Sequence, residues 1–195
     1  MILALDRTSK VGPQAVSDAQ SRNASSIAAL VSDPDLRRLF EYWCAQRRGR
    51  PMPARRDIDP LEIGWALSRI FLLDYDPDGG LVYRLAGDDI AGVFGHGNLK
   101  GLRLRDFLLP AQAETVERMF MRVIEDRCVM GMQGMVYLRA GRLPMGERLF
   151  LPLADGETDA VNGVLGMTVV ESEPVGSPAG ATLPSPKYIP VSDIP

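Results

Sequence analysis

Residues able to do chemistry are few and scattered in this sequence. There is one histidine, His96, and two cysteines, Cys44 and Cys128. A serine triad needs a histidine base beside an activated nucleophile, and no G-x-S-x-G lies near His96. Cages of cysteine and histidine around a metal take three or four such ligands, so no metal site is expected. Two cysteines give no disulfide framework. The paired acids Asp57–Asp59 and Asp88–Asp89 could exchange a proton. Each, however, stands where a helix cap or an ion-pair partner is wanted. No catalytic residue is assigned, and an enzyme is not expected.

The densest charged stretch is RRGRPMPARRDIDP, residues 47–60, with five arginines and three prolines in fourteen positions. It could hold an anion such as a phosphate or nucleic acid. The formal net charge of −3 argues otherwise, because duplex-binding domains carry a basic excess. Asp57, Asp59 and Glu62 follow closely and are within reach of Arg55 and Arg56. The stretch therefore reads as a stiff connector with local ion pairs, and no nucleic-acid partner is expected. The remaining chemical resource is soft apolar surface. Nine methionines are many for 195 residues, and methionine adapts to irregular shapes. Cys128, Met130 and Met132 are spaced by two and share one face of a strand.

The elements that position these residues follow from period and punctuation. In SDPDLRRLFEYWCAQRRG, Asp33 can cap a helix and Pro34 suits its first position. Leu36, Leu39, Phe40, Trp43 and Cys44 form one stripe, and Gly49 ends the helix, over 33–49. Pro51 and Pro53 forbid its continuation. Asp59 and Pro60 restart a short helix to about Leu67. RIFLLDY and LVYRLAG around DPDGG read as a hairpin. Asp88 can cap DIAGVF, closed by Gly95, and GHGNLKG is a loop without phosphate-loop spacing. PAQAETVERMFMRVIEDR is a second long helix, with Ala113, Val116, Met119, Phe120, Val123 and Ile124 on one face. Three strands follow, over 128–140, 146–154 and 161–172, as an antiparallel meander. The order describes one α+β domain over 32–172. The flanks, 1–31 and the proline-rich 173–195, read as disordered tails, the first turning helical near Ile27 to Val31. No apolar run nears the roughly 18–20 residues of a membrane span. MILALDRTSK is no signal peptide, so a cytoplasmic location and no membrane insertion are expected.

The helix-to-sheet connection, with Trp43, Arg50, Pro53, Arg55, Asp57 and Pro60, and then Arg84, Gly87 and Gly101, resembles the PAS_5 group. These are short, bacterial, PAS-like proteins. The likeness covers roughly residues 33–172. It implies a PAS-like five-stranded antiparallel sheet with helices on one face and an N-terminal flanking helix. It also implies a sensory or regulatory role in signal transduction rather than a known ligand. The cysteine motif of flavin photosensors is absent from both cysteines. His96, the one candidate haem ligand, lies in a glycine-rich loop, so neither flavin nor haem is expected and no cofactor is implied.

On that template, Tyr83, Arg84, Phe94, Met119, Phe120, Val123, Cys128, Met130 and Met132 are candidates to line a small apolar ligand pocket, or merely an ordinary core. Phe40 and Trp43, with Arg50, Arg55 and Arg56, are candidates for an interaction surface. Trp43 either staples the flanking helix to the sheet or anchors a dimer. No kinase, phosphodiesterase or helix-turn-helix segment follows. The expected activity is thus regulation by contact with a signalling protein such as a histidine kinase, or with a second copy, with or without gating by a small apolar ligand. A sensor without a fixed partner is the alternative, and an enzyme on this scaffold is less favoured.

Overall fold

The computed structural model describes residues 24–137, 144–172 and 185–195. Residues 24–30 form helix α1, followed by α2, Pro34–Gln46. The Asp33 carboxylate accepts from the N–H groups of Asp35 (2.8 Å) and Leu36 (3.1 Å), and Pro34 takes the first turn. These are the cap and proline that the sequence predicts. The restart after Asp59 is weaker than expected. It gives turns and a single 3-10 turn, Gly64–Ala66, rather than a helix. Gly64 interrupts the segment, and Leu61 stands exposed.

The hairpin strands are β1, Ile70–Asp76, and β2, Gly80–Ala86. Helix α3, Asp88–Val93, starts one residue earlier than a cap at Asp88 requires, with Gly87 at the cap. A Cβ on Gly87 would lie 2.1 Å from the Leu67 carbonyl oxygen, so close approach of the chain demands glycine there. Asp89 instead accepts from Ser68 Oγ at 2.7 Å. After a 3-10 turn, Leu104–Asp106, comes α4, Pro110–Glu125. The meander is β3, Cys128–Met135, β4, Met145–Ala154, and β5, Val161–Ser172. Residues 138–140, expected at the end of β3, lie outside the described residues.

Among the described residues the sheet has six strands, one more than the five expected. Its order is β2-β1-β5-β4-β3-β6, antiparallel at every pairing. The sixth strand, β6, is Lys187–Pro190, within the segment expected to be disordered. It pairs with β3 from Cys128↔Pro190 to Gly131↔Lys187, and Val191 and Ile194 are buried beyond it. Tyr188, Ile189 and Val191 suit a strand, and an edge strand tolerates the prolines around them. Arg47 donates to the carbonyls of Ile194 (3.1 Å) and Pro195 (3.0 Å), tying this segment to α2. The rest of that segment, 173–184, and residues 1–23 lie outside the described residues. Within the other expected tail, α1 packs with Ile27 and Leu30 buried.

Helix α4 takes one face of the sheet, and α1 and the flanking α2 take the other. On the α2 side, Leu36, Leu39, Phe40 and Trp43 are fully buried within the single chain. The Trp43 indole donates to the Pro152 carbonyl at 2.9 Å. Burying side chains of this kind stabilises by about 1.5–3 kcal/mol each. Trp43 is thus a staple to the sheet, and neither it nor Phe40 is free to anchor a dimer.

Glu147 on β4, 2% exposed, fixes the start of α2. It accepts from the N–H groups of Ser32 (2.7 Å) and Asp33 (3.2 Å), from Ser32 Oγ, and from Gln133 Nε2 (3.2 Å). Gly131 in β3 has no room for a side chain, because a Cβ would lie 2.6 Å from Leu30 Cβ. This face is closed by direct packing.

Candidate functional site: an aromatic cavity with one buried arginine

The other face holds a cavity of about 440 Å³ between the sheet, α4, Phe94 just after α3, and the Leu104 turn. That size suits a small organic molecule, for which pockets typically span roughly 300–1,000 Å³. The aromatic wall follows from the strand register. Phe71, Gly166, Phe150 and Met130 stand in one row across β1, β5, β4 and β3. Gly166 is a necessity of that row: a Cβ there would lie 2.0 Å from Phe71 Cζ. Phe71 meets Phe120 and Phe150 edge-on at 5.7 and 5.4 Å, while Phe120 and Phe150 stack at 4.5 Å. Edge and stacked contacts of this kind add about 0.5–1.5 kcal/mol per pair beyond burial.

Helix α4 splits its apolar stripe between two tasks. Ala113, Val123 and Ile124 are buried in the core, whereas Val116 and Met119 line the cavity with Gln112 and Thr115. Tyr83 lines it from β2. The loop after α3 holds Tyr83 in place through two backbone bonds, Tyr83 N–H to Leu102 (2.9 Å) and Gly101 N–H to Tyr83 (2.7 Å). That is the structural task of the glycine-rich loop, where Gly101 has φ +82°. Burial pushes the Tyr83 phenol well above its ordinary pKa, against the opposing charge of Arg148.

Sequence reasoning missed Phe71, Val116, Tyr137 and Phe150 in the cavity wall and, with the largest chemical consequence, Arg148. It stands on β4 opposite Met132 on one side and Thr168 on the other. It lines the cavity, is 9% exposed, and its guanidinium lies 4.2 Å from the centre of the Tyr137 ring. No ion pair or hydrogen bond holds it among the described residues, and its buried Nε has no partner. The Thr168 hydroxyl beside it, 3% exposed, also has none. The one legible signal was position. Arg148 breaks an otherwise apolar strand, RLFLPLA, that is buried on both faces.

Of the residues expected to line a pocket, Tyr83, Phe94, Met119, Phe120 and Met132 do so. Arg84 does not. The register of β2 skips it, pairing Leu85 with Leu72 and Tyr83 with Leu73, and such a bulge re-aims the extra side chain. Arg84 pairs with Asp74 at 2.7 Å in solvent. Val123, Cys128 and Met130 are buried in the core rather than in the cavity wall. Cys128 lies under β6, its thiol directed to the Arg122 carbonyl at 3.4 Å. Burial pushes both cysteines up to about 11, so neither is a thiolate at neutral pH. His96 stacks edge-on against Phe107 at 6.0 Å and does not line the cavity.

The arginine stretch is spent locally, though less on carboxylates than expected. Arg50 pairs with Asp57 at 2.5 Å, and Asp57 also accepts from the Ala54 N–H at 2.8 Å. Arg47 and Arg56 instead donate to backbone carbonyls, Arg56 to Gly156 at 2.9 Å. Arg55 is partly buried, and its Nε has no partner among the described residues. Burial lowers its pKa, as does the nearby charge of Arg84, partly offset by Asp74. Among the described residues, no cluster of histidine, cysteine and carboxylate could hold a metal ion, and no helix is long and apolar enough to cross a membrane.

The family description "PAS domain" (PAS_5) matches residues 31–169, more than half of the chain. The protein belongs to the PAS domain family. Its sheet order and the helices over the cavity face are those of a PAS domain with an added sixth strand. No curated protein matches it. Two solved structures are similar in part. One is VqmA bound to DPO, at 13% identity, 58% of each chain and a TM-score of 0.46. The other is the Vibrio cholerae VqmA dimer in the absence of target DNA, a LuxR-type receptor, at 13% identity, 59% of this chain, 53% of that one and a TM-score of 0.45. This PAS protein therefore spans less than two thirds of either chain.

Proposed function

We propose that this PAS protein is a sensory module that takes a small, largely apolar molecule into the cavity between α4 and the sheet. Occupancy is then passed on through contact with another protein, either a signalling protein such as a histidine kinase or a second copy of the chain. The single observation that carries the reading is the contrast in packing within one domain. Cavities this large in an otherwise close-packed interior are uncommon, since native cores leave few voids larger than a water. The lining favours binding over turnover. It contains aromatic rings, aliphatic chains and methionines with a few polar groups, and no histidine, cysteine or carboxylate among the described residues. Such a composition orients a ligand but supplies no general base.

Native mass spectrometry of gently purified protein tests this reading. The expected result is a retained small molecule, or one taken up from a metabolite panel, that Val116→Trp displaces by filling the cavity. The same spectrum reports copy number. Bare chain in every preparation, with no thermal shift across the panel, would contradict the proposal.

A further inference from the structure

The cavity has one polar corner, and its chemistry names a ligand class. Arg148 brings a permanent positive charge into an apolar enclosure. Removing such a charge from water is expensive unless it is paired. Among the described residues no carboxylate lines the cavity. The sequence joining β3 to β4, residues 138–143, contains two arginines and no acid. Glu147, next in sequence, points to the opposite face and is spent on Ser32, Asp33 and Gln133. The Tyr137 ring holds one flat face of the guanidinium, an arrangement that favours the cation but satisfies none of its N–H donors. Thr168, directly opposite on β5, adds a second buried polar atom with no partner.

Resting on the sensory reading above, we infer that the ligand is a small organic acid. Its carboxylate sits against the Arg148 guanidinium, and its apolar, ring-sized body lies against the cluster of Phe71, Phe120 and Phe150. A carboxylate matches the planar fork of a guanidinium in geometry and charge. It is the charge that the site lacks. The aromatic wall favours a flat ring over a branched aliphatic body. Arg148 is thus the specificity-determining residue, and the rings supply affinity common to acids and neutral molecules.

Matched probes separate this inference from the sensory reading. 3-Phenylpropanoate and its amide, 3-phenylpropanamide, share size and ring but differ in charge. They are titrated calorimetrically into wild type, Arg148→Met and Arg148→Lys, with melting temperatures recorded for each ligand-free variant. The acid is expected to bind wild type more tightly than the amide, and to lose about 10–100-fold in affinity in Arg148→Met, the worth of a hydrogen bond to a charged group. Arg148→Lys restores part of that loss, and the amide binds all three alike. Ligand-free Arg148→Met is expected to melt no lower than wild type, because it deletes an unpaired buried charge. Equal binding of acid and amide, unchanged in Arg148→Met, overturns the carboxylate inference and leaves the cavity standing. Binding of neither probe, with no retained molecule in native mass spectra, overturns both. A melting temperature well below wild type in Arg148→Met also overturns the inference, since it would make Arg148 a structural support.

Discussion

The two faces of this sheet are built to different standards. On the α2 face, Trp43, Phe40, Leu36 and Leu39 close directly on β4 and β5, and the one buried charge there, Glu147, is fully engaged by Ser32, Asp33 and Gln133. On the α4 face a cluster of rings walls a cavity of about 440 Å³, and the buried charge Arg148 has no ion-pair or hydrogen-bond partner among the described residues. Both faces use apolar residues, and each carries one buried ion among the described residues. The difference lies in completion. A face whose packing and polar groups are satisfied internally serves stability, and a face left short of atoms and of charge is ready for a molecule that supplies them.

Substitution on each face should break this contrast in opposite ways. Trp43→Ala removes the largest staple and its bond to Pro152, and is expected to cost about 3–5 kcal/mol, read from urea unfolding. Glu147→Ala orphans the N–H groups of Ser32 and Asp33 at the head of α2. It should cost about 2–3 kcal/mol, with hydrogen exchange accelerated first in α2. A matched pair then sharpens the comparison. Gly131→Ala forces a methyl against Leu30 and should cost about 1–3 kcal/mol, whereas Val116→Trp on the cavity side should change stability by less than about 1 kcal/mol despite adding far more atoms. Equal losses from the two would mean that the faces are packed alike.

The smallest effect lies outside both faces, in the arginine stretch. Burial works against the Asp57 carboxylate, but its bonds with Arg50 and the Ala54 N–H outweigh that and hold its pKa below the usual carboxylate range. A carboxyl with a depressed folded-state pKa contributes stability above its unfolded pKa of roughly 4, and that contribution disappears as pH falls through the folded value. Asp57→Asn should therefore cost about 0.5–1 kcal/mol at neutral pH. The variant and wild type should converge in acid, as measured by unfolding at several pH values.

Much of the fold could be read from the sequence. Asp33 with Pro34 announced α2, and the alternating and apolar runs announced all five strands of the PAS sheet. The sixth strand was hidden because Pro186 and Pro190 read as punctuation. Only its partner at the sheet edge makes such a segment a strand. The two-sided cover was written in RLFLPLA, whose near-continuous apolar character marks a strand buried on both faces. The cavity was legible as a cluster of methionines and aromatics on α4 and β3, but its edges were not. Val116 and Val123 lie on the same face two turns apart, and periodicity does not say which turn borders open space, while Arg84 was displaced by a bulge that leaves no mark in composition. Arg148 was the hardest to see. One arginine among 22 basic residues becomes distinctive only once its neighbours prove to be Met132, Thr168 and Tyr137 rather than an acid.

The most direct test of a ligand-taking α4 face is a titration of 3-phenylpropanoate into protein carrying labelled methionine methyl groups, followed by NMR. Met119, Met132 and Met135 line the cavity, and Met52 is buried away from it. The account predicts saturable shifts of Met119, Met132 and Met135 with Met52 unmoved. Shifts confined to Met52, or no movement of any methyl at saturating acid, would contradict it.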